Sequence, residues 1–214
     1  MDQIYALGGD DSVLARGGAD FVKGGSGADT MDGRGRNDTM GGFTGNDKFF
    51  GGAGNDRASG GDGEDEIHGG VGDDIDLDGD ALVDKIYGED GNDLELDGDR
   101  GNDLLYGGPG NDGGAPTSEN LRNRGLRGEG DSNQVYGEDG ADTIDAQTAV
   151  DLGGAPEHIF GGDGNDTITA ADEVLDEIDC GPGLHDTVVS YDTKLDVLVN
   201  CENATPSPTA QSLP

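Results

Sequence analysis

Tryptophan is absent from this chain of 214 residues, aromatic residues make up 5% of it and hydrophobic residues 31%. A chain so poor in bulky apolar side chains cannot build the layered core of an ordinary globular domain of its length. Bases are scarce as well: 12 Lys and Arg stand against 47 Asp and Glu, giving a formal charge of -35. That deficit excludes nucleic acid as a natural partner, because phosphate binding needs cations, and disfavours anionic membrane surfaces for the same reason. No run is apolar enough to span a bilayer, so no membrane insertion is expected. The opening residues, Met1-Asp2-Gln3-Ile4-Tyr5-Ala6-Leu7-Gly8-Gly9, have neither the basic region nor the apolar stretch of a secretory signal, which points to a fragment or a mature form. His68, His158 and His185 are scattered, and no HExxH or Ser/His/Asp arrangement accompanies them. Carboxylates are so dense that choosing two as a glycosidase pair has no weight. Nothing in the sequence therefore marks an enzyme.

What the chain has instead is acid and glycine, with 43 glycines. High charge with low hydrophobicity is the composition of disordered proteins, which bury too little apolar surface to offset their ordering entropy. A cation that accepts oxygen ligands would change this balance by binding the acids and removing their repulsion. The glycines and aspartates are also periodic. From Gly24 to Asp112 the chain repeats GGxGxDxUx, with U apolar, as in Gly24-Gly25-Ser26-Gly27-Ala28-Asp29-Thr30-Met31-Asp32 and Gly60-Gly61-Asp62-Gly63-Glu64-Asp65-Glu66-Ile67-His68. Two units, starting at Gly69 and Gly88, have ten residues, and one nine-residue unit lies between them. In a coil of two units, alternate units stack, so the two insertions would lie one above the other and bulge together.

The turn in each unit suits calcium, a hard cation that takes about six to eight oxygen ligands. Glycines at the second and fourth positions allow positive φ, and Asn at the fifth position, as in Asn46, Asn55, Asn92, Asn102, Asn111 and Asn165, is expected to tolerate the left-handed region too. The sixth-position aspartate closes the turn with a carboxylate. Stacked coils would set these carboxylates roughly 4.8 Å apart, a repulsive ladder unless divalent cations lie between the rungs. The candidate metal ligands are Asp29, Asp38, Asp47, Asp56, Asp65, Asp74, Asp84, Asp93, Asp103, Asp112, Asp142 and Asp166. Arg36 and Leu82 replace the fourth-position glycine, and Asn133 replaces the aspartate of its unit, so those sites are expected to be weak or vacant. Two residues after the aspartate, Met31, Met40, Phe49, Ala58, Ile67, Ile86, Leu105, Val135, Ile144 and Ile168 should point inward from short strands and form a thin apolar column. The chain would make on the order of ten coils and a rod roughly 50 Å long. Tyr87, Tyr106 and Tyr136, with Phe50 and Phe160, end their units and should face outward; Tyr87 and Tyr106, two units apart, are placed to stack.

The GGxGxDxUx repeat resembles the RTX, or hemolysin-type, calcium-binding nonapeptide repeat family of secreted bacterial proteins. The resemblance implies an all-β fold, a right-handed parallel β-roll with two nonapeptides per coil, calcium ions between the turns, and an extracellular location. On this basis residues 1–23 form an imperfect first coil, 24–112 the regular roll, 113–127 a loop insertion, 128–179 a degenerate continuation with an insertion near 146–157, 180–203 a C-terminal cap, and 204–214 a flexible tail. Cys180 and Cys201 could be a disulfide, part of a metal site or two thiols; without suitably spaced His they make a poor zinc site, and an extracellular setting favours the disulfide. Arg122, Arg124 and Arg127 are expected to pair with acids of the same rod. The implied function is calcium binding that drives folding of an extracellular structural or secretion module. The alternatives are a non-catalytic repeat region of a larger lipase, protease or epimerase, or an adhesin or surface-layer spacer, with a glycan or protein partner unspecified. The third position reads Ser26, Gly35, Thr44, Ala53, Asp62, Val71, with no threonine rank for ice binding.

Overall fold

A computed structural model of the chain describes residues 1–113, 125–128, 132–145, 156–170, 174–183, 185–191 and 195–206. Arg122, Arg124, the insertion at 146–155 and the tail from residue 207 lie outside them. The described residues form an all-β solenoid without a helix, and so without any helix long and apolar enough to cross a membrane. Two parallel sheets face each other. One has eleven strands, from Gln3–Gly8 through Phe21–Ser26, Thr39–Thr44, Arg57–Asp62, Asp76–Ala81 and Glu95–Asp97 to Asn203–Ala204; the other has ten, from Ser12–Leu14 through Thr30–Gly35, Lys48–Ala53, Glu66–Val71, Lys85–Asp90 and Leu104–Tyr106 to Val197–Val199. Each strand pairs with the second strand along the chain rather than the next one, which is what a coil of two repeats requires.

Register follows the repeat. Met31 pairs with Phe49 and Phe49 with Ile67 in one sheet, and Val22 with Met40 and Met40 with Ala58 in the other. The middle side chain of each short strand enters the interior, so Met31, Phe49, Ile67, Ile86, Leu105, Val135, Ile144 and Ile168 are wholly buried. This gives an apolar column one side chain deep from each sheet, enough to align the coils but small for a domain of this size. The two ten-residue units do stack: Leu77 pairs with Leu96 and Asp78 with Asp97. Their extra residues, Ile75 and Leu94, fall between aspartate and strand, so the inward residue comes three places after Asp74 and Asp93 instead of two.

The outer face of the ten-stranded sheet carries a continuous ring stack of Phe50, His68, Tyr87, Tyr106, Tyr136 and Phe160, with successive centroids 4.7–5.2 Å apart and planes within 15°. The expected Tyr87–Tyr106 contact is one step of this ladder. His68 completes it, its ring nitrogens 2.9 Å from Glu66 and 2.8 Å from Glu89. At the C-terminal end Cys180 and Cys201 are joined as a disulfide, with Cα atoms 5.1 Å apart. Arg127 pairs with Asp97 at 2.8 Å.

Candidate metal centre

All twelve candidate aspartates are buried, each at most 2% exposed. They fall into two lines, one at each edge of the solenoid, because consecutive repeats place their turns on opposite edges. In the first line the backbone N–H of each aspartate donates to Oδ1 of the aspartate one coil on: Asp20 to Asp38, then Asp56, Asp74, Asp93, Asp112, Asp142, Asp166 and Asp186, at 2.6–3.0 Å. The second line runs in the same way from Asp11 through Asp29, Asp47, Asp65, Asp84 and Asp103, at 2.6–2.8 Å. Its next acceptor is Asn133 Oδ1, 2.8 Å from the Asp103 nitrogen, and beyond it Glu157 donates its N–H to Asp176 Oδ1 at 3.0 Å. The aspartate main-chain carbonyl adds a further tie between coils, as where Lys48 N–H donates to Asp29 O at 2.8 Å.

One carboxylate oxygen is thus committed to the backbone. The other is not: Oδ2 of Asp29, Asp38, Asp47, Asp56, Asp65, Asp74, Asp84, Asp93, Asp112, Asp142 and Asp166 is buried without a hydrogen-bond donor. It lies against the first glycine of its own turn, where a Cβ on Gly24, Gly42 or Gly88 would collide with it. The first glycine therefore makes room for the carboxylate, while the second, such as Gly25 at φ 119°, supplies the left-handed backbone.

Burial without a compensating charge raises the pKa values of these groups. In the metal-free chain desolvation pushes Asp38, Asp47, Asp65 and Asp166 up to about 6, Asp74, Asp93, Asp112 and Asp142 to about 7, and Asp84 to about 8. The hydrogen bond from the preceding coil opposes that rise, and neighbouring rungs generally add to it, as Asp103 and Asp65 do for Asp84. A row of buried carboxylates in which the Oδ2 atoms named above lack a donor fits a hard divalent cation, since an oxygen deprived of water and of donors calls for positive charge. Calcium bound here would supply that charge.

The residues that depart from the repeat have separate consequences. Arg36 and Leu82 adopt φ of 77° and 86°, so they hold the glycine conformation despite their side chains, and Asp38 and Asp84 keep their places in the ladders. Asn133 keeps the hydrogen bond of its rung and loses the charge. The fifth-position asparagines act differently from the sequence expectation. None of the six has positive φ; instead side-chain oxygens at this position accept backbone N–H groups of the adjacent coil, as Asn46 does from Glu64 at 3.1 Å and Asn111 from Ala141 at 2.8 Å. An amide suits that task because it offers an acceptor without adding charge beside the buried carboxylates.

The structure also adds rungs that the glycine pattern did not reveal: Asp11, Asp20, Glu157, Asp176 and Asp186. The glycines around them are missing or displaced. A second signal survives, an acid two places before an inward apolar residue, seen in Asp11–Val13, Asp20–Val22, Glu157–Ile159, Asp176–Ile178 and Asp186–Val188.

Comparison with known proteins gives one result. The family description RTX calcium-binding nonapeptide repeat (4 copies) matches residues 2–40, 41–76, 78–113, 126–150 and 153–172. No curated protein and no solved structure matches the chain. With most of its length matched and a parallel β-solenoid bearing two aspartate ladders, the chain belongs to the RTX calcium-binding nonapeptide repeat family.

Proposed function

We propose that this chain is a calcium-folded structural module of a secreted bacterial protein, acting by binding and not by catalysis. The observation that carries the proposal is the pair of ladders with unpartnered buried oxygens. Asp29, Asp38, Asp47, Asp56, Asp65, Asp74, Asp84, Asp93, Asp103, Asp112, Asp142 and Asp166 are the proposed ligands, joined at the ends of the rows by Asp11, Asp20 and Asp186. Without cations the chain carries -35 charges and a thin core, so repulsion and desolvation oppose the coiled state. With them, each bound ion links folding free energy to external calcium. Compartments poor in calcium would then hold the chain unfolded, and calcium-rich surroundings would fold it. The direct test is circular dichroism of the whole chain during a calcium titration: the β signal should rise cooperatively, and an equal β signal in excess chelator would overturn the reading.

A further inference from the structure

The outer face of the eleven-stranded sheet differs from the rest of the surface. Register places Leu7, Gly25, Phe43, Gly61 and Asp80 in one rank across five strands. Two cavities lie along this rank. The first, about 380 Å³, is walled by Tyr5, Leu7, Lys23 and Phe43; the second, about 620 Å³, by Phe43, Ser59, Asp62, Asp80 and Asp99. Phe43 and Thr44 line both, so the two form one trough along the solenoid axis. Glycines at Gly25 and Gly61 leave pits between the standing side chains.

The trough is polarised. Its N-terminal end is apolar and open, with Tyr5 53%, Leu7 78% and Phe43 48% exposed. Its other end is acidic, with carboxylate oxygens of Asp78, Asp80 and Asp99 within 4.8 Å of one another. Ser59 donates to Asp80 at 2.7 Å, and Arg100 lines the same end and offsets one of the charges. In the middle the chain already seats an ammonium of its own: Lys23 Nζ lies 4.9 Å from the Phe43 ring centroid and 5.2 Å from that of Phe21. Exposed large apolar side chains gathered on one strip and ending at three carboxylates beside a single arginine have the complementarity of an amphipathic, cationic ligand.

We propose that this trough binds an extended segment of a partner protein, with apolar side chains seated from Leu7 to Phe43 and Lys or Arg at Asp80 and Asp99. At about 4.8 Å per strand the trough spans roughly 24 Å, the length of about seven extended residues. The carboxylate end turns away anionic lipid, so a membrane is the wrong occupant.

The test pans a displayed library of random heptapeptides on the calcium-loaded chain, then measures a selected peptide by fluorescence anisotropy. Enriched sequences should carry an aromatic or aliphatic residue at one end and Lys or Arg at the other. Phe43→Asn, and Asp80→Asn combined with Asp99→Asn, should each weaken binding at least tenfold; asparagine tolerates the positive φ of all three positions, and circular dichroism in calcium verifies the fold. Glu89→Gln, on the opposite sheet, should leave binding unchanged. Several outcomes would overturn the proposal: enrichment without polarity, equal binding by the charge-reversed peptide, unchanged binding by the trough variants, equal uptake by phosphatidylserine vesicles, or a dimer in sedimentation that Phe43→Asn dissolves.

Discussion

The two ladders run along opposite edges of one solenoid, yet one is uniform and the other is interrupted. From Asp20 to Asp186 every rung of the first is an aspartate, whereas the second passes from Asp103 to Asn133 and then to Glu157. Asn133 Oδ1 accepts the Asp103 N–H at 2.8 Å, as an aspartate would, and its Nδ2 donates to Glu157 Oε1 at 3.3 Å. On the proposed function a rung therefore has two separable tasks: one oxygen ties successive coils together, and the second, with its charge, would hold a cation. An amide performs the first and not the second.

The strongest way to break the comparison is to remove a whole rung from the uniform ladder. Asp93 accepts the buried Asp74 N–H at 2.8 Å. Asp93→Ala would orphan that donor, which costs about 1–3 kcal/mol before any lost calcium is counted. Denaturant unfolding in saturating calcium should show at least this loss, and native mass spectrometry should show fewer bound ions. Asp93→Asn should separate the tasks. It keeps the tie and loses ions, and it makes the metal-free chain more stable at neutral pH because a buried charge has gone. A metal-free stability unchanged by Asp93→Asn would refute the division of labour.

Protons provide a milder perturbation of both ladders. Rung carboxyls raised to about 6–8 in the folded metal-free chain lie above the ordinary value of about 3.9. Groups raised in the folded state contribute stability that is present below the unfolded value and lost as pH rises through the folded one. The metal-free coil should therefore be favoured at pH 4 and lost between about pH 5 and 8. Calcium competes with those protons, so the midpoint of its folding titration should move to higher concentration as pH falls from 8 to 5. A midpoint insensitive to pH would mean that the ions bind elsewhere. Within this window Asn133→Asp is a smaller and local change: it should add one ion to the count and lower metal-free stability, making the second ladder behave like the first.

Much of this arrangement is legible in the residues because the repeat is strict where carboxylate and backbone meet. The spacing gave the coil of two repeats, the stacked insertions after Asp74 and Asp93, and the inward Met31, Phe49 and Ile67. It left Asp20, Glu157 and Asp186 out of the ligand set because glycine, the louder signal, answers to backbone conformation, while rung membership answers only to an acid placed before an inward residue. Asn111 and its counterparts were misread for a related reason: tolerance of positive φ is a property of the single residue, and acceptance of an N–H one coil away becomes visible only when coils are stacked. His68 went unnoticed in the ring ladder because it repeats the position and not the residue type.

Among the twelve candidate aspartates, each ladder holds one whose turn lacks its fourth glycine, Asp38 beside Arg36 and Asp84 beside Leu82. Leu82 sits at φ 86° with its side chain 58% exposed, so it bears left-handed strain with little burial in return. Leu82→Gly relieves that strain and should stabilise the calcium-loaded chain by about 1 kcal/mol, an estimate reduced by the greater freedom of glycine when unfolded. Burial, with Asp103, Asp65 and Asp80 nearby, pushes the Asp84 carboxyl up to about 8, so its site should be among the last to fill as calcium rises. If the defect resides in the turn, Leu82→Gly will raise affinity at this rung as well as stability. If it resides in the surrounding carboxylates of Asp103, Asp65 and Asp80, stability will rise and the order of filling will not change, which separates strain from charge at a single position.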